Sequence, residues 1–330
     1  MIWKNLPKPF LMLAPLEGVA DTVFRQIVAS CAKPDVFVTE FTSADGFCSP
    51  GRTAVRNNFI FTPEEMPIIA QIWGKNPETI YETAKAAAGM GFSGIDINMG
   101  CPDRNVMAHG GGGRMIDTPD LAQSAIAAMK AGIKDAGVVL PVSVKTRIGT
   151  KKIMTESWLS FLLNQEIDAL TVHGRTVAEL SKVPAHWDEI AKAVSLRDAM
   201  KLSTVIVGNG DVKNASEAME KCSQYGVDGV MIGRGIFTNM WAFDRSEAPH
   251  LGTPSELIDV MERHVRLFAK VWGTTKDYAI LKKFFKVYVN NFYGAIDWRV
   301  KAMATNSPDE IYALLCELKP QIQRLSMIQS

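Results

Sequence analysis

Three clusters of residues in this chain have types and spacing suited to chemistry. Cys101 lies in Asn98–Val106 (NMGCPDRNV), after Gly100 and before Pro102. Proline fixes its own φ and removes one backbone donor, which holds such a loop extended. A thiol of ordinary pKa, ~8.5, is mostly protonated near neutral pH and can give a proton to a carbanion or enolate. It can also act as a nucleophile if a histidine base lies within reach, and His109 and His173 are both available for that role. Lys145 and Arg147 flank Thr146 at the end of PVSVKTR, so both point to one face of a strand, and His173 closes the neighbouring run ALTVHGR. A fixed cation beside an imidazole donor suits an electron-rich ring. A reduced flavin is such a ring, because its N1–C2=O2 edge becomes anionic.

The third cluster is a pair of glycine turns, GNGDV (208–212) and IGRG (232–235). Glycine lets backbone N–H groups approach a phosphate closely, and Arg234 adds a charged donor. The run HGGGG (109–113) is expected to be a flexible or ligand-hugging loop on which something closes. The five cysteines, at 31, 48, 101, 222 and 316, show neither metal-knuckle spacing nor an even disulfide set. No metal site is expected.

The elements that position these residues are legible as eight short apolar runs, each closed by a polar or glycine-containing turn. They are 10–15, 36–41, 67–74, 94–102, 141–147, 169–175, 204–211 and 229–235. Continuous rather than alternating apolarity marks parallel strands buried on both faces. Segments of helical period lie between them, as at 77–90 and 119–131. Eight such units in ~250 residues indicate an α/β fold of the (β/α)8 TIM-barrel type. The strand ends carry Glu17, Glu40, Gln71, Asn98, Cys101, Lys145, Arg147, His173, Arg175, Asn209 and Arg234, and barrel catalysis takes place on that rim. The expected organisation is a catalytic barrel over 1–243, a connector at 244–254 and a small helical bundle over 255–330. Thr253, Pro254 and Glu256 form a capping-box start for the bundle, which is broken near Gly273, Gly294 and Pro308.

At 330 residues, 47% hydrophobic and 22% charged, the composition is that of a globular protein. No run of about 18 apolar residues is present, so no membrane helix is expected. The opening MIWKNLPKPF carries lysine and proline where a secretion signal needs an apolar core, so a reducing cytoplasm is expected. A monomer is expected. The net charge of +1 hides an asymmetry. Residues 263–301 hold nine Lys or Arg against two Asp, interleaved with nine aromatic residues. Cations for phosphates and rings for bases are an RNA-binding pattern. The period of LKKFFKVYVNNF nevertheless assigns most rings to the bundle's core and leaves Lys282, Lys283 and Lys286 for RNA.

The motifs LAPLEGVAD (13–21), TEF (39–41), AQIWG (70–74), DINMGCP (96–102), SVKTR (143–147), VHGRT (172–176), GNGD (208–211) and MIGRG (231–235) resemble, in order, the signatures of the bacterial tRNA-dihydrouridine synthases. The resemblance covers roughly residues 10–240, and the basic helical tail is similar to that family's tRNA-binding domain. It implies an FMN enzyme that uses NADPH to reduce C5=C6 of a uridine in tRNA. It further implies that Cys101 gives the proton to C5, and that Gln71, Lys145 and His173 line the flavin ring over Ala14, Pro15 and Leu16. Asn209, Gly210, Asp211, Gly233 and Arg234 would hold the phosphate. Asn98 and Arg175 would lie near the uracil, with Arg147 also on the substrate side. Leu16, Ala20 and Arg114 depart from the residues usual in the family.

Three other readings compete. A flavin barrel acting on a free pyrimidine needs no basic tail. A flavin-free RNA-binding protein would not be yellow. A sugar-phosphate isomerase leaves Cys101 without a role.

Overall fold

The computed structural model describes residues 2–329. The chain packs as two compact units. One runs through Thr22 and then Pro34–Arg234, and the other is Val23–Lys33 with everything from Gly235 onward.

The first unit is a parallel barrel. Its strands are β1 (Phe10–Leu13), β2 (Phe37–Val38), β3 (Thr42–Ser43), β4 (Ile68–Trp73), β5 (Gly94–Met99), β6 (Val142–Arg147), β7 (Ala169–His173), β8 (Val205–Asn209) and β9 (Gly229–Ile232). Eight of them are staves, in the order β1-β9-β8-β7-β6-β5-β4-β2, while the short β3 pairs with β4 alone. A parallel bridge between Met12 and Val36 joins the two ends and closes the ring. Each stave falls on one of the eight apolar runs, so the (β/α)8 expectation holds. The runs are continuously apolar because both faces are covered: β5 is buried at every position. Helices alternate with the strands. The one over Pro77–Ala88 starts at Asn76, whose side chain accepts from the Glu78 N–H.

Register decides which side chains share the interior. Across the parallel pairs, Asn98 lies beside Lys145, Lys145 beside Thr171, and Thr171 beside Val207. The next row is Arg147, His173, Asn209 and Met231. Thr146 faces the other way, because its hydroxyl accepts from Trp158 Nε1 at 2.8 Å in the helix Thr155–Leu163. Lys145 and Arg147 therefore point inward. Part of the interior is an apolar plug of Phe10, Met12, Val36, Val38, Ile69, Val205, Val207 and Met231, packed with Trp3. Burying each large member contributes about 1.5–3 kcal/mol. Other inward positions of β4, β5 and β6 carry Gln71, Asp96, Asn98, Ser143 and Lys145.

The second unit contains helices over Pro254–Trp272, Ala295–Ala304 and Pro308–Gln329, with breaks at Gly273, Gly294 and Pro308. Thr253 and Glu256 form the capping box that the sequence marks. The segment LKKFFKVYVNNF is not one helix. A 3₁₀ run over Tyr278–Phe284 passes into a single turn, Phe285–Tyr288. Phenylalanine, tyrosine and valine lose side-chain freedom in a helix, and tertiary burial of these rings sets the local backbone. Leu281, Phe284, Phe285 and Tyr288 are buried, Phe292 is half-buried, and Lys283 and Lys286 are exposed. Among the described residues no helix is long and apolar enough to cross a membrane.

Candidate active site

β5 ends at Met99, and the chain turns into the loop that carries Cys101. Asn98 organises this turn: its Oδ1 accepts from the N–H of Gly100 at 3.1 Å and of Cys101 at 2.9 Å. Arg147 Nε holds the Gly100 carbonyl at 2.9 Å, and the Gly113 N–H donates to the Cys101 carbonyl at 2.9 Å. Asp103 then caps the short helix Arg104–Ala108. Burial raises the Cys101 pKa, and the Asp103 charge adds to the rise. The Asp103 N–H and the cations Lys145 and Arg147 pull the other way without cancelling it. The thiol is therefore protonated at neutral pH. Neither candidate base bonds to it: His109 Nδ1 faces the Asn105 carbonyl at 2.7 Å, and His173 makes no hydrogen bond to Cys101. The geometry favours an acid over a nucleophile.

The glycine run is closely packed within the chain. At Gly112, where φ is +56°, an added Cβ would lie 2.8 Å from the Cys101 carbonyl oxygen. At Gly113 it would lie 2.5 Å from Val177 Cγ2. These glycines pack against the chain's own thiol loop and Val177, and Gly112–Asp117 is a 3₁₀ helix. Arg114 on this helix is exposed, with Nη1 3.6 Å from Asp117 Oδ2.

Lys145 and His173 project inward from adjacent strands. Burial first, then Arg147, lowers the Lys145 pKa to about 8, against opposing pulls from Asp96 and Cys101. Its ammonium makes no hydrogen bond among the described residues. Burial, reinforced by Arg147, Lys145, Arg175 and Arg234, keeps the His173 imidazole neutral. His173 Nδ1 is buried without a partner. An unbonded ammonium and an unsatisfied ring nitrogen are groups that a ligand would complete.

The ends of β8 and β9 form the second half of the site. Asn209 Nδ2 donates to the Met231 carbonyl at 2.8 Å, joining the two strands. Asp211, at φ +51°, accepts from Arg175 Nη2 and from the Ala185 N–H. Burial pulls the Asp211 pKa up, but these hydrogen bonds and the cations Arg175 and Arg234 hold it below the usual range. Trp187 Nε1 fixes the Gly210 carbonyl at 3.0 Å. The backbone N–H groups of Gly210, Asp211, Gly233 and Arg234 have no protein acceptor among the described residues. Arg234 is 64% exposed. A Cβ at Gly233 would meet only Ala14 and Leu16, at 3.7 and 3.9 Å, so the β1 loop faces this turn. Pro15 and Leu16 are half-buried there.

Two arginines expected near the substrate are bonded to the protein. Arg175 donates to the Val183 carbonyl at 2.6 Å and to Asp211. Besides Gly100, Arg147 reaches the carbonyls of Thr176 and Leu180 at 3.0 and 3.2 Å. Lys282, Lys283 and Lys286 belong to the other unit.

Sequence reasoning passes over Asp96 and Ser143. Gln71 Nε2 donates to Asp96 Oδ2 at 2.7 Å, and Ser143 Oγ donates to Asp96 Oδ1 at 2.6 Å. Burial pushes the Asp96 carboxyl up to about 6, against those hydrogen bonds and the Lys145 charge. The signal was there: an aspartate inside an apolar strand, two residues before Asn98 and on the same face.

Free N–H groups and a nearby guanidinium fit a phosphate. The unpaired Lys145 ammonium and His173 nitrogen fit the electron-rich edge of a ring. Together with the half-buried thiol they form one set of polar groups on the barrel rim, of a chemistry suited to an anionic, ring-bearing ligand and to proton donation.

Residues 12–324 match the family Dihydrouridine synthase (Dus). A Bacillus subtilis (strain 168) protein named "Probable tRNA-dihydrouridine synthase 2" is 43% identical over 316 residues, covering 95% of each chain. A Staphylococcus aureus (strain COL) protein named "Probable tRNA-dihydrouridine synthase" is 44% identical over 323 residues, 97% of this chain and 96% of its own. Among solved structures, DHODH from Eimeria tenella in complex with ferulenol shares the fold. The TM-score is 0.50 at 12% identity, over 68% of this chain and 76% of that one. The chain belongs to the dihydrouridine synthase family.

Proposed function

We propose that the protein reduces the C5=C6 bond of a uridine in tRNA to dihydrouridine, with FMN as resident cofactor and NADPH as reductant. The observation that carries this reading is the pairing of a protonated thiol loop with two unpartnered nitrogen groups, Lys145 Nζ and His173 Nδ1, on the same barrel rim. When bound, a flavin would supply hydride chemistry, and C6 is the position of the uracil that can accept a hydride, because C5=C6 is conjugated with the C4 carbonyl. Charge then develops on C5, and Cys101 delivers the proton there. Lys145 and His173 would hold the electron-rich edge of the ring, and Gln71 and the Ala14–Leu16 loop would complete its walls. Gly210, Asp211, Gly233 and Arg234 would present N–H donors to its phosphate, and Asn209 braces the two strands that carry them. Asn98 orients the thiol loop and, with Arg147 and Arg175, builds the wall that the uracil meets.

The helical unit supplies the tRNA contact through Lys282, Lys283 and Lys286. A base inside a folded tRNA is out of reach of the barrel interior, so the target uridine is flipped out or already unstacked. Five free cysteines suit a reducing cytoplasm.

The test is incubation of purified protein, FMN and NADPH with tRNA lacking dihydrouridine, followed by mapping of the modified base. Formation of dihydrouridine at a defined position is expected. Reduction of free uracil or dihydroorotate chemistry in its place would overturn the reading.

A further inference from the structure

We propose that Asp96 is the positioning residue of the thiol loop: its buried carboxylate fixes the direction of a hydrogen-bond relay that ends on the Cys101 N–H. The relay can be followed atom by atom. Ser143 Oγ and Gln71 Nε2 both donate to Asp96, at 2.6 and 2.7 Å. Asn98 Nδ2 donates to Gln71 Oε1 at 2.9 Å, and Asn98 Oδ1 accepts from Cys101 N at 2.9 Å and from Gly100 N at 3.1 Å. Ser143, Asp96, Gln71 and Asn98 are all buried, so water offers no substitute partner.

The direction follows from which atoms can donate. The two ends of a carboxamide have nearly the same shape, so Gln71 and Asn98 would each fit either way round. An ionised carboxylate only accepts. Gln71 therefore turns its NH₂ to Asp96 and its carbonyl to Asn98. Asn98 then has to give its NH₂ to Gln71, which leaves its carbonyl for the two loop N–H groups. One charge sets the sense of every later link, and a reversed Asn98 would oppose NH₂ to the loop N–H groups. Thr39 Oγ1 accepts from the Gln71 backbone N–H at 3.0 Å, so the head of the relay is anchored as well. Asp96 does not touch the thiol and acts through Gln71 and Asn98. That the positioned thiol is the proton donor rests on the function proposed above, whereas the relay itself does not.

The relay makes a charge-swap prediction. In N98D, while both carboxylates are ionised, two acceptors meet at one junction whichever way Gln71 turns, and only uptake of a proton by one of them relieves it. In D96N/N98D the whole relay can reverse: Ser143 donates to the Asn carbonyl at 96, that side chain's NH₂ donates to Gln71, and Gln71 donates to the carboxylate at 98. That carboxylate still accepts from Cys101 N and Gly100 N. D96N alone keeps the native sense available, because the Ser143 hydroxyl can also accept.

The experiment measures Cys101 alkylation by iodoacetamide, resolved by peptide mass spectrometry, on the FMN-loaded protein without tRNA. N98D is expected to change the rate by about tenfold, D96N by about threefold or less, and D96N/N98D is expected to return to within about threefold of native. A space-filling role for Asp96 gives no such rescue. A double variant no closer to native than N98D overturns the proposal. If N98D does not fold, recovery of a folded double variant supports the proposal and its failure to fold overturns it. Absence of dihydrouridine from the native reaction would sink the functional reading and leave the alkylation pattern intact, so the two failures are distinguishable.

Discussion

Arg147 holds the carbonyl of Gly100, the residue before the thiol, at 2.9 Å. The same guanidinium reaches the carbonyls of Thr176 and Leu180, so it staples the thiol loop to the loop after β7. A lysine can supply a charge at this position but not a planar fork with several fixed donors. R147K is expected to leave buried carbonyls unsatisfied and to destabilise the barrel by about 1–3 kcal/mol. Denaturant unfolding of native and R147K protein measures this. Equal midpoints would show that the staple contributes nothing.

Cys101 is read as a proton donor. C101A is expected to lower dihydrouridine formation by about 10²–10⁴-fold while flavin stays bound, as absorbance of the purified variant would report. The thiol pKa is raised, chiefly by burial. The rate is therefore expected to hold through neutrality and fall only on the alkaline side, where the proton leaves. C101S keeps a hydroxyl that does not titrate in that range, so its residual rate is expected to lack this alkaline fall. An identical fall in C101S would assign it to another group.

Lys145 links cofactor binding to pH. Its cation is lost as pH rises through about 8. A ligand with an anionic edge holds that proton on, so FMN binding near this pH is expected to take up a proton and to weaken as pH rises further. Calorimetry in two buffers of different ionisation enthalpy measures the uptake, and K145M is expected to abolish it. For the ligand-free protein the unfolded lysine titrates near ~10.4, so the unfolded chain binds more protons between about 8 and that value. In that window the contribution of Lys145 to stability rises with pH. A ligand-free protein that loses stability from this residue over the same window would contradict the buried-cation reading.

Much of this was legible in the chain. Eight apolar runs became eight staves, and Thr253, Pro254 and Glu256 became a capping box, because strand burial and helix capping are local and leave a local pattern. Lys145 and His173 stood out because they lie at or near the ends of adjacent strands, although the register sets His173 beside Arg147 and Lys145 beside Thr171. The partners of Arg147 and Arg175 were not legible, since carbonyls at 176, 180 and 183 meet those guanidiniums only once the loops fold back. The glycines at 112 and 113 were read as open to a ligand because sequence does not show that the Cys101 carbonyl and Val177 lie against them. Asp96 was missed because a lone carboxylate in an apolar strand gains meaning only from Ser143 and Gln71 on neighbouring strands.

The basic segment of the helical unit gives the last prediction. Its rings are mostly core: Phe284, Phe285 and Tyr288 are each buried, and Phe284 stacks on Phe24 with centroids 4.8 Å apart. The lysines between them face outward to different degrees, Lys283 and Lys286 exposed and Lys282 half-buried. Alanine at 282, 283 and 286 therefore leaves the bundle's packing largely in place and removes three cations from its surface. If these cations meet tRNA phosphates, each pairing releases a condensed counterion, and the slope of log affinity against log salt falls by about 0.7–0.9 for every phosphate no longer neutralised. The triple variant is expected to bind tRNA more weakly at low salt, with a slope shallower by about two to three, while its melting temperature and flavin content stay near native. Filter binding over a range of salt concentrations measures the slope. An unchanged slope would mean that the tRNA backbone is held elsewhere on the protein.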